Sequence, residues 1–384
     1  MAAITYEILR DSVAGDGVGV RSRTVLEPLG GPGDKIFPPT YGVEKRAETK
    51  YAVEARRVGG EDVNSVLLDS VASQANRFEL ALLEAVRRSE LQLPLISVDF
   101  RAHEGVSDLD LLSCLEAPHR VYDAVFRDSL LGGKLFRLSD VGRGITEATT
   151  KNAAALFHYS PTTLLLGGWD STGPKGGRGS KFERTMTSEV VGVGISRGVK
   201  TSSRIDPLAI EKGAGPVYES ADDLGWTLSE DEAVKDEKGK PKLVKSEGVG
   251  ESGRPSQINH GNVTPSIDEL SGGVTADEIV AVTVLSFAAL RRLRFPHDHL
   301  GSAFDTAARR DVEAAARSAL AALGLAATVL AFEDGFDLRS RCVLAPTGPL
   351  TFELLRRSGA DPIRFTLDHS QALTLVDEAS EAVA

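Results

Sequence analysis

The C-terminal third of the chain alternates between strand-like and helix-like apolar patterns, and this order constrains the fold most. The predicted elements are, in order, a strand at Ile279–Ser286, a helix at Phe304–Leu323, a strand at Ala326–Phe332, a strand at Leu338–Leu344, a helix at Thr351–Arg357 and a strand at Ile363–Leu367. A β-α-β-β-α-β order is the split βαβ plan of ferredoxin-like folds. We therefore predict an α+β, ferredoxin-like fold.

A long amphipathic helix is predicted over Val66–Arg88, where apolar residues recur at intervals of three and four. Asp69 is its predicted N-cap. Ser70, Gln74 and Arg77 fall on one adjacent face. Such a face is either solvated or a set of donors for a sugar–phosphate backbone.

Weaker patterns predict several further elements. They are a turn within residues 1–23, a buried strand at Pro94–Phe100, a helix over 115–131 with His119 and Arg120 at its start, a helix-to-strand passage at Ala153–Leu166, a helix at Ser180–Val191 behind a glycine loop, and a flexible insertion at 211–261. Otherwise the chain is predicted to be a single domain, 1–384.

The stretch Gly167–Pro207 is the richest in glycine, hydroxyl and basic side chains. From Gly167 to Arg204 it holds seven basic residues against three acidic ones, although the whole chain carries a net charge of −11. A positive, glycine-rich island in an acidic protein indicates a directed phosphate-binding surface. Four cations recur there every third residue, at Lys175, Arg178, Lys181 and Arg184.

A second glycine- and proline-rich loop, residues 26–42, carries Lys35 between Gly33 and Pro38, with Phe37 and Tyr41 nearby. Two interpretations stay open. The loop is an ordered connection pinned on its aromatic residues, or it presents Lys35 to a phosphate from a rigid backbone.

Three sequence features indicate where in the cell the protein is located. The N-terminus lacks a signal-peptide pattern, the apolar run Ile279–Leu290 is shorter than the roughly 20 residues that span a bilayer, and Cys114 and Cys342 form no ligand spacing. We therefore expect a cytoplasmic protein.

Enzymatic motifs are weak. The segment Gly173–Lys181 has Ser180 before Lys181, the reverse of the order that a nucleotide-binding P-loop requires. Two short clusters resemble metal ligands, at Asp99, His103 and Glu104 and at His297, Asp298 and His299, but neither has a confirming partner motif. No G-x-S-x-G sequence is present. We expect no catalytic residue, no metal and no cofactor.

Several longer motifs resemble, in order, the CRISPR-associated RAMP-superfamily backbone subunit of the type I-G (formerly I-U) Cascade-like complex. They are LEPLGGPGDKIFPPTYG (26–42), LLDSVASQANR (67–77), APHRVYDAVFRDS (117–129), GGWDSTGPKGGRGSKFERTMTSEVVGV (167–193), GVKTSSRIDP (198–207), INHGNV (258–263) and ALRRLRFP (289–296).

The resemblance implies a hand-shaped subunit with an RRM-like palm and large insertions. It implies that copies polymerise head to tail along a CRISPR guide RNA, bind other Cascade subunits and hold the guide open for pairing with target DNA. It also implies a structural role, with strand cleavage left to a separate enzyme.

The predicted RNA contacts combine the cation pattern with this resemblance. They are Lys35, Ser70, Gln74, Arg77, Lys175, Arg178, Lys181, Arg184, Lys200, Ser202, Ser203, Arg204, Asn259, His260 and Asn262. Two alternatives stay open: a divalent-metal ribonuclease of the same superfamily that uses an exposed Asp34 or Asp170, and an RNA-binding domain that works alone.

Overall fold

The computed structural model describes residues 3–44, 46–173, 179–207, 210, 215–245, 253–296 and 307–383. Its helices are α1 (Tyr6–Ala14), α2 (Val71–Arg87), α3 (Ala124–Arg127), α4 (Asp140–Glu147), α5 (Ala154–Tyr159), α6 (Pro161–Leu166), α7 (Phe287–Leu290), α8 (Ala307–Glu333) and α9 (His369–Glu381).

The strands of the first half are β1 (Gly17–Pro28), β2 (Val53–Val58), β3 (Glu61–Asp69), β4 (Ser97–Asp99), β5 (Leu111–Ser113), β6 (Leu130–Leu131), β7 (Lys134–Leu135), β8 (Gly168–Trp169), β9 (Lys181–Phe182) and β10 (Met186–Arg197). Those of the second half are β11 (Lys200–Arg204), β12 (Tyr218–Glu219), β13 (Trp226–Thr227), β14 (Val263–Asp268), β15 (Val274–Ser286), β16 (Phe336–Arg339), β17 (Cys342–Pro346), β18 (Phe352–Arg356) and β19 (Ile363–Phe365).

The chain forms two compact units. Unit 1 comprises Met1–Pro39, Tyr51–Ser196 and Thr275–Ala384, and unit 2 comprises Thr40–Lys50 and Arg197–Val274. The large sheet and the long helices lie in unit 1, whereas unit 2 contains short two-stranded pairs.

The main sheet of unit 1 has the strand order β16-β17-β1-β15-β10-β3-β2, with β18 also paired to β1 and β19 paired to β18. The order β-α-β-β-α-β is formed along the chain by β1, α2, β10, β15, α8 and β17. In the sheet, β17 lies beside β1, and β15 lies between β1 and β10. This arrangement confirms the predicted α+β, ferredoxin-like class. The plan spans nearly the whole chain rather than its C-terminal third.

The first half of strand β1 was missed because its glycines mask the strand pattern. The pattern G-V-G-V predicted a turn, yet residues 17–28 alternate between buried and exposed positions, with Val20, Ser22 and Thr24 buried and Arg21 exposed. Pairing with β15, in the register Val20↔Leu285, supplies the backbone hydrogen bonds that this local sequence does not predict.

Helix α8 forms the centre of the core. It contacts α1, α2, α6 and α9. A Cβ atom on Gly324 would come within 3.1 Å of the Met186 sulfur, so the glycine lets the helix approach β10 closely. Within the described residues, α8 is the one helix apolar and long enough to cross a membrane, and 89% of its most apolar 18-residue window is buried inside the protein. It is therefore placed as a core helix.

Two C-terminal predictions are wrong. The predicted strand at Ala326–Phe332 is the second half of α8, because no proline interrupts residues 307–333 and the helix continues through Gly324. The predicted helix at Thr351–Arg357 is strand β18, which pairs with both β1 and β19. Tertiary pairing overrides local propensity there.

The predicted helix over Val66–Arg88 begins later than expected. Residues 61–69 form strand β3, and α2 begins at Val71 with Ser70 as its N-cap, whose hydroxyl accepts a hydrogen bond from the Ser73 amide at 3.2 Å. Asp69 is therefore not the cap. Its carboxylate is buried and accepts hydrogen bonds from side chains instead.

Four weaker predictions also change. Residues 115–131 contain only a short 3-10 turn and α3, because Pro118 and the positive φ of Arg120 (52°) interrupt a helix. Ser180–Val191 belongs to strands, with β10 burying Met186, Ser188 and Val190 at the period of two that strands require. The predicted strand in 153–166 is helix α6, and the one at Pro94–Phe100 shrinks to β4, which is not buried.

Much of the predicted insertion 211–261 lies in unit 2 as short paired segments. Strands β12 and β13 pair, and isolated bridges join Tyr218 to Leu243 and Ser220 to Ala233. In this segment Val217 and the β12 residue Tyr218 are buried. Residues 211–214 and 246–252 of this prediction lie outside the described residues.

Candidate nucleic-acid interface

The centre of the predicted site is the hairpin of β8 and β9, in which Trp169 pairs with Lys181. The Lys181 ammonium lies 5.5 Å from the centroid of the Trp169 ring. Both side chains are exposed, Trp169 to 53%. The hairpin therefore presents a cation and a large aromatic ring side by side at the surface.

A buried ion pair anchors this hairpin. Asp170 is 2% exposed, and one guanidinium nitrogen of Arg137 donates to its two carboxylate oxygens at 2.8 and 3.0 Å. A second nitrogen of Arg137 donates to the Thr172 carbonyl at 2.9 Å. Because the carboxylate is buried and charge-paired, it holds the chain in place rather than facing solvent. The expectation that Asp170 is an exposed aspartate is wrong.

Ser180 fixes the other end of the same loop. Its hydroxyl lies 2.6 Å from the Ala148 carbonyl oxygen and 2.8 Å from that of Thr146, at the end of α4. The Ser180 side chain thus satisfies helix-terminal carbonyls, which otherwise lack donors. Lys175 and Arg178, between these anchors, lie outside the described residues.

Arg184 follows the hairpin and is exposed. Within the described part of the chain, no carboxylate pairs with Arg184 or Lys181, whereas the neighbouring Glu183 pairs with Arg292 at 2.9 Å. A pair of exposed cations with no acidic partner can neutralise phosphate groups.

A second buried ion pair, between Arg120 and Glu79, contacts the chain next to the hairpin. Arg120 donates to Glu79 at 2.6 Å and to the Gly167 carbonyl at 3.1 Å, and both ionic side chains are less than 10% exposed. Burial raises the pKa of Glu79 to about 7, against the opposing attraction of Arg120. Arg120 thereby links helix α2 to Gly167, the residue just before the hairpin.

Lys35 lies in an ordered loop of unit 1. Its ammonium is 5.5 Å from the centroid of Phe37, and the guanidinium of Arg341 is 4.0 Å from the same ring. The Phe37 amide donates to the Arg341 carbonyl at 3.0 Å. Contacts of Phe37 therefore hold the loop in place, and Lys35 is half-buried beside this ring.

The predicted polar face of α2 is occupied within the fold. Gln74 is 1% exposed, donates to Asp69 at 2.7 Å and accepts from Ser188 at 3.0 Å. Arg77 donates to Asp69 at 2.9 Å and to the carbonyls of Asp337 and Leu338. These contacts join α2 to β10 and to β16, which leaves Gln74 no surface for an RNA chain.

Four predicted contacts lie in unit 2 on strand β11, which pairs with β14 in a ribbon: Lys200, Ser202, Ser203 and Arg204. Ser203 and Arg204 are exposed, and Ser202 lies 3.0 Å from Ser266 across the ribbon. Lys200 is tethered, because its ammonium lies 2.8 Å from the Ser271 hydroxyl and 3.2 Å from Asp268. The Ser271 hydroxyl, assisted by Lys200, holds the pKa of Asp268 well below its usual range.

Asp206, buried to 3% exposure, organises the last three predicted residues. Its backbone amide donates to the Asn262 side chain at 2.8 Å, and its carboxylate lies 3.2 Å from Nδ1 of His260. Asn259 ends the preceding 3-10 turn in a left-handed conformation (φ 58°). His260 and Asn262 therefore shape the backbone here, whereas Asn259 is exposed.

The candidate metal clusters find little support. Among the described residues, no group of three or more His, Cys, Asp or Glu side chains could hold a metal ion. Asp99 pairs with Arg101, whose hydrogen bonds lower the pKa of Asp99 to about 2, and it lines a groove of about 930 Å³ with His103 and Glu104. Residues 297–299 lie outside the described part.

Two side chains of this site were not predicted from the sequence. Trp169 was not among the predicted contacts, although a tryptophan within the glycine-rich basic stretch is a signal that could have found it. Arg137 lies 33 residues from its partner Asp170, and nothing in the local sequence predicts this pairing.

Residues 20–197 match the family described as CRISPR-associated protein GSU0053. This match supports a CRISPR-associated protein with a role in CRISPR defence. It covers most of β1 and the whole of the Lys35 loop, α2, the hairpin of Trp169 and Lys181, and β10. No curated protein matches the chain significantly.

Proposed function

We propose that this chain is a non-catalytic, guide-RNA-binding backbone subunit of a type I CRISPR surveillance complex of the I-G kind. Copies polymerise along the guide RNA in the cytoplasm, bind the other Cascade subunits, and present the guide for pairing with target DNA. The observation that carries the proposal is that Lys181 in the anchored hairpin and Arg184 just after it are exposed and free of acidic partners in the described structure, inside the segment that matches a CRISPR-associated family.

Phosphate contact is the chemistry that this hairpin suits best. Exposed cations bind the RNA backbone without regard to sequence, so sequence recognition is left to base pairing by the guide. In unit 2, the exposed Arg204 and the hydroxyl-lined ribbon of β11 and β14 offer the same groups. Because the chain has a net charge of −11, binding of a polyanion requires local clusters of cations such as these.

A surface for neighbouring copies is also available. The hairpin of β6 and β7 exposes Leu130 (67%), Leu131 (48%) and Leu135 (48%), and Leu138 beside it is 61% exposed. A cluster of uncovered leucines of this kind is typical of a protein–protein contact. It supports assembly into a polymer rather than a domain that works alone.

The test is retention of guide RNA by the co-purified complex. Lys181→Glu combined with Arg184→Glu should abolish retention, because two phosphate contacts become repulsive. The matched control is Lys238→Glu with Lys240→Glu, an equal charge change at exposed positions in unit 2, which should retain the RNA. Normal retention by the first variant contradicts the proposal.

The ribonuclease alternative now depends on Asp34, the exposed member of the two candidate aspartates. The Asp34 carboxylate accepts the Lys35 amide at 2.8 Å, which is a local turn contact. Incubation of the assembled complex with complementary RNA and Mg²⁺ distinguishes the two functions. Regular cleavage that Asp34→Asn removes would establish the ribonuclease instead.

A further inference from the structure

Trp169 is a large aromatic side chain that the fold leaves 53% exposed. Tryptophan normally buries most of its surface, so an exposed ring on a rigid element needs a reason. We propose that Trp169 is a stacking platform for an unpaired nucleobase of the bound RNA, next to the phosphate contacts of Lys181 and Arg184. The proposal rests on the proposed function.

The ring is presented from a fixed backbone. Gly168, immediately before it, has no room for a side chain, because a Cβ atom there would lie 2.6 Å from the Thr163 methyl and 2.9 Å from the Tyr122 ring. Asp170, immediately after it, is held by Arg137. The residues on both sides of Trp169 are thus held in place, so RNA binding has to order the Trp169 side chain but not its backbone.

The charges around the ring favour a nucleic acid over an acidic or neutral protein surface. Lys181 lies over the ring, and Arg184 is two residues beyond the hairpin strand. Two carboxylates close to these residues in the chain are paired, Glu183 with Arg292 and Asp170 with Arg137. A base-stacking ring beside backbone-binding cations is how single-stranded nucleic acids are held without sequence preference.

Fluorescence of a single-tryptophan protein tests stacking directly. The chain has two tryptophans, Trp169 and Trp226, so Trp226→Phe leaves Trp169 as the reporter. The full-length protein is titrated with a single-stranded RNA oligonucleotide and with an abasic oligomer of equal length and charge. Stacking predicts quenching by the RNA and none by the abasic oligomer. Equal quenching by both, or by neither, overturns the proposal.

Affinity measurements on Trp169→Ala and Trp169→Phe separate stacking from a structural role. The alanine variant should bind RNA about 5- to 150-fold more weakly, which corresponds to the usual contribution of one base–aromatic stack. Its affinity for the abasic oligomer should not change, and the phenylalanine variant should recover most of the RNA affinity. Equal weakening toward both oligomers indicates a structural role and overturns the proposal.

The remaining outcomes distinguish this proposal from the proposed function. If Trp169→Ala binds RNA normally while Lys181→Glu with Arg184→Glu does not, stacking is wrong and the RNA-binding function stands. If Trp169→Ala binds RNA normally but fails to assemble with other subunits, the ring contacts protein instead. If the charge variant retains RNA, the proposed function fails, and the fluorescence titration still decides stacking independently.

Discussion

At the scale of single residues, buried ion pairs determine which charged groups reach the surface. Asp170 was a candidate functional residue in sequence, yet it is buried with a partner, as Arg120 is. Lys181 and Arg184 were also candidates, and both are exposed. Removing one partner of a buried pair typically costs about 3–5 kcal/mol, so these pairs are structural requirements of the hairpin.

The buried carboxyl of Glu79 should make stability depend on pH. Because its pKa is raised from 4.5 to about 7, the folded state holds the proton more tightly than the unfolded chain does. Its stabilising contribution is complete below pH 4.5 and is lost as the pH rises through 7. Each pKa unit is worth about 1.4 kcal/mol, so the loss is roughly 3 kcal/mol at most.

Urea unfolding at pH 5 and pH 8 measures this effect. Glu79→Gln should flatten the pH dependence, because the amide keeps the hydrogen-bonding shape and cannot ionise. Glu84→Gln, on the exposed side of the same helix, is the matched control and should keep the dependence of the wild type. Identical pH profiles for Glu79→Gln and the wild type would show that Glu79 does not titrate in this range.

At the scale of elements, short hairpins carry the surfaces with proposed functions while the sheet and long helices position them. The hairpin of β8 and β9 offers charge and an aromatic ring, whereas that of β6 and β7 offers leucines. Loops and hairpins on a rigid scaffold are where binding residues concentrate.

The leucine hairpin gives a prediction about assembly. Leu130→Glu with Leu135→Glu should shorten the polymers formed on guide RNA, because charges placed in an apolar contact are desolvated without partners. Light scattering after size exclusion measures the mass. Stability should change by less than about 0.5 kcal/mol, since both positions are exposed.

The control for assembly is Leu224→Glu, at an equally exposed leucine of unit 2, 71% exposed, which should leave polymer length unchanged. Full-length polymers from the double variant would mean that copies meet through another surface.

At the scale of the whole molecule, the chain is acidic but is proposed to bind a polyanion. Its net charge of −11 opposes RNA at long range, so binding depends on a few exposed cations. The dependence of affinity on salt therefore reports how many phosphates those cations contact.

Salt titration counts the contacts made by the hairpin. For single strands the logarithm of the binding constant falls with the logarithm of salt with a slope of about −0.7 per phosphate contact. Lys181→Ala with Arg184→Ala should therefore reduce the magnitude of the slope by about 1.4. Lys238→Ala with Lys240→Ala should leave it unchanged. A wild-type slope in the first variant would place these two cations away from the RNA.

The sequence by itself determined the class of the fold and the candidate cations, whereas the exposure of those cations did not follow from it. Apolar periodicity located most of α2 and the first half of α8, and the strand at Ile279–Ser286 lies within β15. These signals are local, because amphipathic spacing follows from which face of an element is buried. The charged island that contains Lys181 and Arg184 is likewise visible in the one-dimensional order of residues.

Only the tertiary structure decided which polar groups are free. Ser70, Gln74 and Arg77 form a helical face in sequence, yet Gln74 and Arg77 are taken up by long-range contacts with Ser188 and with the carbonyls of Asp337 and Leu338. Ser180–Val191 becomes strand because the sheet supplies partners for its backbone. A polar side chain's environment depends on residues distant along the chain, and the exposed ring of Trp169 follows from contacts that spacing does not encode.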